Sequence, residues 1–476
     1  MIHASRLRRL ALLVAATVAL ALSWGRDASA QVFNPKTFTL DNGLQVVLVE
    51  NDRVPAVVQM LWYKVGAADE PRGKSGIAHF LEHLMFKGTE TVAPGAFSRT
   101  VARHGGRDNA FTGQDFTGYH QTVARDYLEL VMEMEADRMA NLVLTDAEVD
   151  PEREVILEER RSRVDNQPAA LLGEAMGSAM YRNHPYRFPI IGWESEMRGL
   201  TRQDALDFYE AHYAPNNAVL VVAGDVSLDE LRRLAEKHYG PIPRREVAPR
   251  DRPEEPPQIA ARRVVLESPQ VREPSLRRNY LAPSRLAGET RHAYPLDVLS
   301  EIMGGTTGRL YRDLVIERGV ATAATAWYSG DAVDMTTFGV YAAPRPGRTL
   351  EEVEEALDAA LERLLREGVT EEEVADATRR LTAAAVFARD DLTTAARVLG
   401  SALVIGLAIE DVEQWPQRIA AVTAEEVDAA AAAVLLPRQS VTGLLLPERE
   451  PAESAAPGTG PSGIDAPAPA PARNPS

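Results

Sequence analysis

The 476-residue chain contains no cysteine. That absence excludes disulfides, thiolate nucleophiles and cysteine-ligated metals, so any metal site must be built from histidine and carboxylate. Stability must come from buried apolar surface, which a chain of this length can supply. Long apolar runs are also scarce. The clearest, Leu10 to Leu22, follows Arg6, Arg8 and Arg9 and precedes Ala28-Ser29-Ala30. It is too short to cross a bilayer comfortably, and no stop-transfer pattern follows. Residues 1–30 therefore read as an export signal cleaved after Ala30, with no stable membrane anchor and a periplasmic mature chain beginning at Gln31. No cysteine follows the run, which excludes a lipoprotein anchor. Positive charge is the third shortage. The formal net charge of −17 argues against nucleic-acid binding and for solubility.

What is present is concentrated in His79-Phe80-Leu81-Glu82-His83. On a helix, His79 and His83 lie one turn apart on one face and can grip a single ion. Glu82 projects from nearly the same face and can reach a water on that ion without ligating it. Ile77, Ala78, Phe80, Leu81, Leu84, Met85 and Phe86 support a buried helix, and Gly88 supplies a stop. In such a helix unpaired histidines would be costly. The alternative is a helix whose histidines are incidental and satisfied by neighbours. A third ligand is needed to decide, because catalytic zinc takes three protein ligands and keeps one position open.

Downstream lies a strongly helix-forming run, Glu152-Arg153-Glu154-Val155-Ile156-Leu157-Glu158-Glu159-Arg160-Arg161. HxxEH followed at a distance by such an ExxxxxxE helix resembles the inverted-motif zinc peptidases of the pitrilysin/insulinase family. The short-chain branch that includes mitochondrial processing peptidase is the nearest match. The resemblance implies one Zn²⁺ per chain, with Glu159 as third ligand and Glu152, two helical turns earlier, as a supporting residue of the catalytic site. Glu154 and Glu158 read as solvated-face charges. Asn109-Ala110-Phe111-Thr112 resembles the family's edge strand, which takes an extended peptide substrate by strand addition. Without the resemblance it is an ordinary hairpin strand. His104 and His120 lack helical spacing to any other ligand. His184-Pro185-Tyr186 and Tyr213-Ala214-Pro215-Asn216-Asn217 resemble family signatures whose chemistry suggests turns.

The order of elements gives an α+β fold of two homologous tandem halves, with mixed or antiparallel sheets flanked by helices. By the resemblance it is one subunit of a clamshell dimer. The first half, 31–240, opens with strands Phe38–Leu40 and Leu44–Val49 around the turn Asp41-Asn42-Gly43, then Val57–Val65. Helices follow at Ala124–Leu142, Asp146–Asn166 and Pro168–Tyr181, then the strand Ala218–Gly224 and the helix Leu228–His238. The Pro- and charge-rich segment Pro241–Pro257 suits an exposed linker, placed at 241–262. The second half, 263–446, repeats the order with a strand at Arg277–Ala282 and a helix at Tyr294–Met303. Aligning Met303-Gly304-Gly305-Thr306 with Phe86-Lys87-Gly88-Thr89 sets Leu296, Leu299 and Ser300 opposite His79, Glu82 and His83. It is a half without metal chemistry. The Pro- and Ala-rich residues 447–476 suit a disordered tail.

One departure from the family pattern stands out. Many members carry, in the second half, an Arg and, seven residues on, a Tyr that hold the substrate backbone. Here those positions are Val315 and Thr322. The resemblance thus implies a zinc endopeptidase for peptides or unfolded segments, with Glu82 as general base, whose partner is a homologue lacking HxxEH and supplying Arg and Tyr. The rival class is a non-catalytic structural or assembly subunit of the same fold. Such subunits tend to lose the ligands that this chain keeps. A metal protein performing another hydrolysis is the third possibility.

Overall fold

The structure is a computed structural model describing residues 32–448. The expected signal, residues 1–30, and nearly all of the expected tail lie outside the described residues. Two mixed sheets, each flanked by helices, form the molecule. The first has the order β1-β2-β6-β3-β5-β4 and the second β7-β11-β8-β10-β9. Their strands are β1 Lys36–Thr39, β2 Gln45–Glu50, β3 Ala56–Tyr63, β4 Arg107–Thr112, β5 Thr117–Ala124 and β6 Ala218–Gly224, then β7 Arg262–Ser268, β8 Ser275–Ala282, β9 Ala321–Tyr328, β10 Thr336–Pro344 and β11 Ser440–Pro447. In both sheets one parallel pair, β2 with β6 and β7 with β11, adjoins antiparallel neighbours. Within this shared order β1 has no counterpart in the second sheet.

The central strands are apolar at nearly every position because both faces are covered. Along β3, Val57, Leu61 and Tyr63 face one core, while Val58, Met60 and Trp62 face another. The first core holds the motif helix α1, Ile77–Leu84, together with α2, Ala96–Arg103, α3, Leu128–Asn141, α4, Asp146–Arg160, and, further along the chain, α6, Arg202–His212, and α7, Leu228–His238. The other face is covered from the second half. Helix α5, Pro168–Met180, crosses to pack on β11 and β7 through Leu172 and Met176. Helix α11, Leu392–Ile405, crosses back onto β3 and β6 through Ala396, Leu399 and Leu403. Each half thus lends one helix to the other's sheet. Both crossings need a glycine. A Cβ on Gly400 would sit 2.1 Å from Trp62, and one on Gly443 would sit 2.2 Å from Met176. The second core is closed by α8, Ala293–Met303, α9, Leu350–Glu367, α10, Glu371–Ala388, and α12, Ala424–Val434.

Residues 241–260 carry no regular structure and are exposed along much of their length, but two of their charged side chains are tied to the body of the molecule. The Arg252 side chain is 5% exposed and reaches Asp69 at 2.7 Å, Asp115 at 2.6 Å and Asp334 at 3.0 Å. Glu255 accepts hydrogen bonds from the backbone N–H groups of Arg182, Asn183 and His184. Charge that composition assigns to solvent is here spent on buried pairing. The segment is a strap pinning both halves together. Among the described residues no helix is long and apolar enough to cross a membrane.

Candidate metal centre

Helix α1 starts after Gly76, whose φ of 88° suits glycine and whose absent side chain lets the loop at Ile191 come close. It ends before Gly88, where a Cβ would meet the Val92 carbonyl. Its apolar face is fully buried, which fixes the helix rotation and leaves His79, Glu82 and His83 toward α4 and β4. His79 and Glu82 are each only 9% exposed. Helix α4 begins with a Thr145–Glu148 capping box and passes after Arg160 into a π-helical turn, Arg161–Asp165. The expected helix to Asn166 is therefore two kinds of helix, and Glu159 stands just before the change.

One ligand atom each from His79, His83 and Glu159 converge, all within 4.8 Å of one another. Glu159 Oε2 lies 3.6 Å from His79 Nε2 and 3.3 Å from His83 Nε2. Its other oxygen pairs with Arg163 at 2.7 Å, which turns Oε2 inward. Glu152 Oε1 lies 2.8 Å from His83 Nδ1. That contact orients the His83 ring and turns its Nε2 toward the centre. Glu152 is itself held by Lys87. Glu158 pairs outward with Arg161, on a side chain 70% exposed. Burial, with His83 nearby, lowers the His79 pKa to about 4, so this imidazole is neutral. Burial opposes the charge on His83 too, but Glu152 and Glu159 raise its pKa to about 9. A neutral imidazole, a second ring whose Nε2 faces the same point and a carboxylate converge where a cation that displaces the His83 Nε2 proton would be held. Two histidines and a carboxylate are a donor set that fits zinc.

Glu82 has a different environment. Burial raises its pKa, and the Thr112 hydroxyl, donating to Oε2 at 2.6 Å, works against that rise. Thr112 ends β4, the edge strand of the first sheet, which leaves one side of β4 without a partner strand. On this strand Asn109 Oδ1 covers the Ala110 amide at 2.9 Å, and Phe111 packs edge-on against Trp62. His104 stacks on Tyr127 and His120 lies beside Phe111, neither in the cluster. Residues 185–187 and 215–217 are single 3₁₀ turns. Val315 is buried in a π-helical segment and Thr322 is exposed on β9. Sequence reading missed Lys87, Arg163 and the hydroxyl contact of Thr112. Lys87 and Arg163 carry a helical signal, four residues from His83 and Glu159, but Thr112 carries none.

The chain is similar to known proteins along most of its length. Residues 45–193 match the family model described as insulinase (peptidase family M16), and residues 199–381 match the peptidase M16 inactive domain. The zinc protease PqqE of Helicobacter pylori is 33% identical over 361 residues, covering 75% of this chain and 80% of the relative. An uncharacterised zinc protease of Mycobacterium leprae is 30% identical over 402 residues, covering 83% and 87%. A Helicobacter pylori protease crystal structure superposes with a TM-score of 0.82 at 29% identity, over 87% of this chain and 99% of that one. The periplasmic protease PqqL of Escherichia coli, at 22% identity and a TM-score of 0.76, shares the fold over 87% of this chain and 48% of its own length. The chain belongs to the insulinase family, peptidase family M16.

Proposed function

We propose that this chain is an exported zinc endopeptidase that cuts peptides or unfolded polypeptide segments in the periplasm. The observation that carries the reading is the convergence of His79, His83 and Glu159 beside a buried, hydroxyl-held Glu82. His79, His83 and Glu159 would hold one Zn²⁺, and Glu152 would orient His83. Zinc bound there supplies Lewis acidity, lowering the pKa of a water to about 7 and polarising a carbonyl. Glu82 takes the proton of the attacking water. Thr112 occupies Oε2, which directs Oε1 to that task, and burial makes the carboxylate a stronger base. The same carboxylate then returns the proton to the leaving amine.

The edge of β4 receives the substrate. Along Asn109, Ala110, Phe111 and Thr112, the alternate N–H and C=O groups that do not pair with β5 would pair with an extended backbone, a mode of binding with little sequence preference. An incoming strand displaces the Asn109 side chain from the Ala110 amide. Because Thr112 bonds to Glu82, the strand that aligns the peptide also aligns the base. The export reading rests on residues 1–30, and the domain limits 31–240 and 263–446 on the repeated element order.

Val315 and Thr322 supply neither a positive charge nor a phenol, so the substrate carbonyl lacks a second set of orienting groups. Such positioning contributes several kcal/mol to a transition state. We therefore assign this chain to a heterodimer whose zinc-less partner contributes an Arg and a Tyr. The test is hydrolysis of an unstructured peptide by the chain alone and with that homologue, each with and without a chelator. Chelator-sensitive activity that rises sharply on mixing is expected. Full activity alone with no gain on mixing contradicts the partner, and activity insensitive to chelation contradicts the metal.

A further inference from the structure

We propose that Glu70 is a positioning residue for the motif helix: its carboxylate grips the first amides of α1 and fixes the angle at which His79 is presented. The inference rests on the zinc-peptidase reading above. Helix α1 has only eight residues and no side-chain cap of its own, because its N-cap is Gly76. Of its first amides, that of Ile77 is taken by the Lys74 carbonyl at 3.1 Å, and those of Gly76 and Ala78 need acceptors from elsewhere. Glu70 supplies them from outside the helix. Oε2 accepts from Gly76 N–H and Oε1 from Ala78 N–H, both at 2.9 Å. Ala78 immediately precedes His79, so the second bond holds the peptide unit that enters the residue before the ligand.

A helix this short has little stiffness from its own length and takes its direction from what holds its ends. The far end is fixed by the apolar packing of Leu81, Leu84 and Met85. The near end is fixed by the two Glu70 bonds and, two residues before the helix, by Glu196, which accepts from Ser75 N–H at 2.7 Å. The two carboxylates divide the work. Glu196 anchors the approaching loop, together with the Trp193 N–H bond to Ser75 Oγ. Glu70 is the carboxylate that reaches inside the first turn, at Ala78. Burial and the nearby Glu196 raise the Glu70 pKa, and its two amide bonds oppose that rise, since a protonated carboxyl would turn a hydroxyl toward one of the amides.

Glu70→Gln tests this with little change in shape, because it turns an NH₂ group toward one of the two amides. Zinc affinity by chelator competition, thermal midpoint, kcat and KM are read on the full chain with its partner. Glu70→Gln is expected to weaken zinc about 10–100-fold, as the loss of a ligand-orienting contact does, and to lower kcat more than KM. Glu196→Gln is expected to lower the thermal midpoint with a much smaller change in zinc affinity. If Glu70→Gln does not fold, Glu70→Asp, which keeps the charge but withdraws it by a methylene, is read the same way. A folded Glu70 variant binding zinc as tightly as wild type overturns the inference, as does an equal loss in Glu196→Gln. Wild-type protein that binds no zinc overturns this inference and the peptidase reading together, whereas zinc in the wild type with unchanged zinc in Glu70→Gln overturns this inference alone.

Discussion

The two halves share a strand order and exchange equivalent helices, yet what they place on that scaffold is opposite. In the first half α1 and α4 bring His79, His83 and Glu159 to one point. In the second, α8 and α10 occupy the matching places. Both α4 and α10 begin with a capping box, Thr145–Glu148 and Thr370–Glu373, and aligning these caps sets Ala377 and Ala384 opposite Glu152 and Glu159. With Leu296, Leu299 and Ser300 opposite the motif, every member of the constellation has been replaced by a residue that binds no metal. Ala384 instead lines a cavity of about 410 Å³ with Leu381, Tyr328 and Trp415. Holding two histidines and three carboxylates close costs desolvation and like-charge repulsion, which a half with no ion has no means to offset. The second half keeps what packing needs.

Predictions that break this comparison begin with the base. Glu82→Gln makes the first half chemically silent, as the second is, without altering its shape. Turnover should fall by about 10²–10⁴-fold or more, with zinc retained, as peptide kinetics and metal analysis on one preparation would show. Near-normal turnover would contradict the assigned base. The helix exchange is next in size. Gly400→Val drives a side chain into Trp62 and should destabilise the chain by about 1–3 kcal/mol, read by denaturant unfolding. An unchanged midpoint would mean that α11 does not seat on the first sheet as described.

A smaller effect sharpens the link between strand and base. Thr112→Val removes the hydroxyl bonded to Glu82 while keeping a β-branched strand residue. A hydrogen bond to a charged group is worth about 1.5–3 kcal/mol, so kcat should drop by at least about tenfold with zinc content unchanged. Smallest is a difference between the two capping boxes. Glu373 alone also binds a guanidinium, that of Arg309. Burial opposes its ionisation, but Arg309 and Thr370 lower its pKa from the ordinary 4.5 to about 2. A depressed folded-state pKa adds stability that is present above pH 4.5 and is lost as pH falls toward 2. Because the pair is partly solvated, Arg309→Met should cost about 1–2 kcal/mol at pH 7 and flatten the loss of stability in that acid window. Unfolding curves of both proteins at several pH values would show it, and an unaltered acid limb would refute it.

Legibility in the sequence followed range. The motif helix could be read because its signal is local: apolar residues at every inward position, two histidines one turn apart and a glycine stop. The same holds for Ala218–Gly224, an unbroken apolar strand, and for the tandem repeat. Helix ends were less legible. The expected Ala124–Leu142 begins as a 3₁₀ turn at Arg125–Tyr127, since end geometry depends on neighbours that local propensity does not see. In the strap, composition shows the charges but not that Asp69, Asp115 and Asp334 surround Arg252. The helix exchange left no sequence mark except two glycines. Glu159 was reached only through resemblance, as nothing local separates it from Glu158. In the folded chain the neighbours separate them: Glu158 turns to Arg161 and Glu159 to the histidines.

That pair also supplies the most direct test of the central claim, that one half holds one metal through His79, His83 and Glu159. Zinc per chain should be measured by elemental analysis for the wild type, Glu159→Ala and Glu158→Ala after equilibration with limiting zinc. One zinc per chain in the wild type and in Glu158→Ala, with most of it lost in Glu159→Ala, is the predicted result. Two zincs per chain, equal loss in both variants, or zinc retained by Glu159→Ala would contradict it.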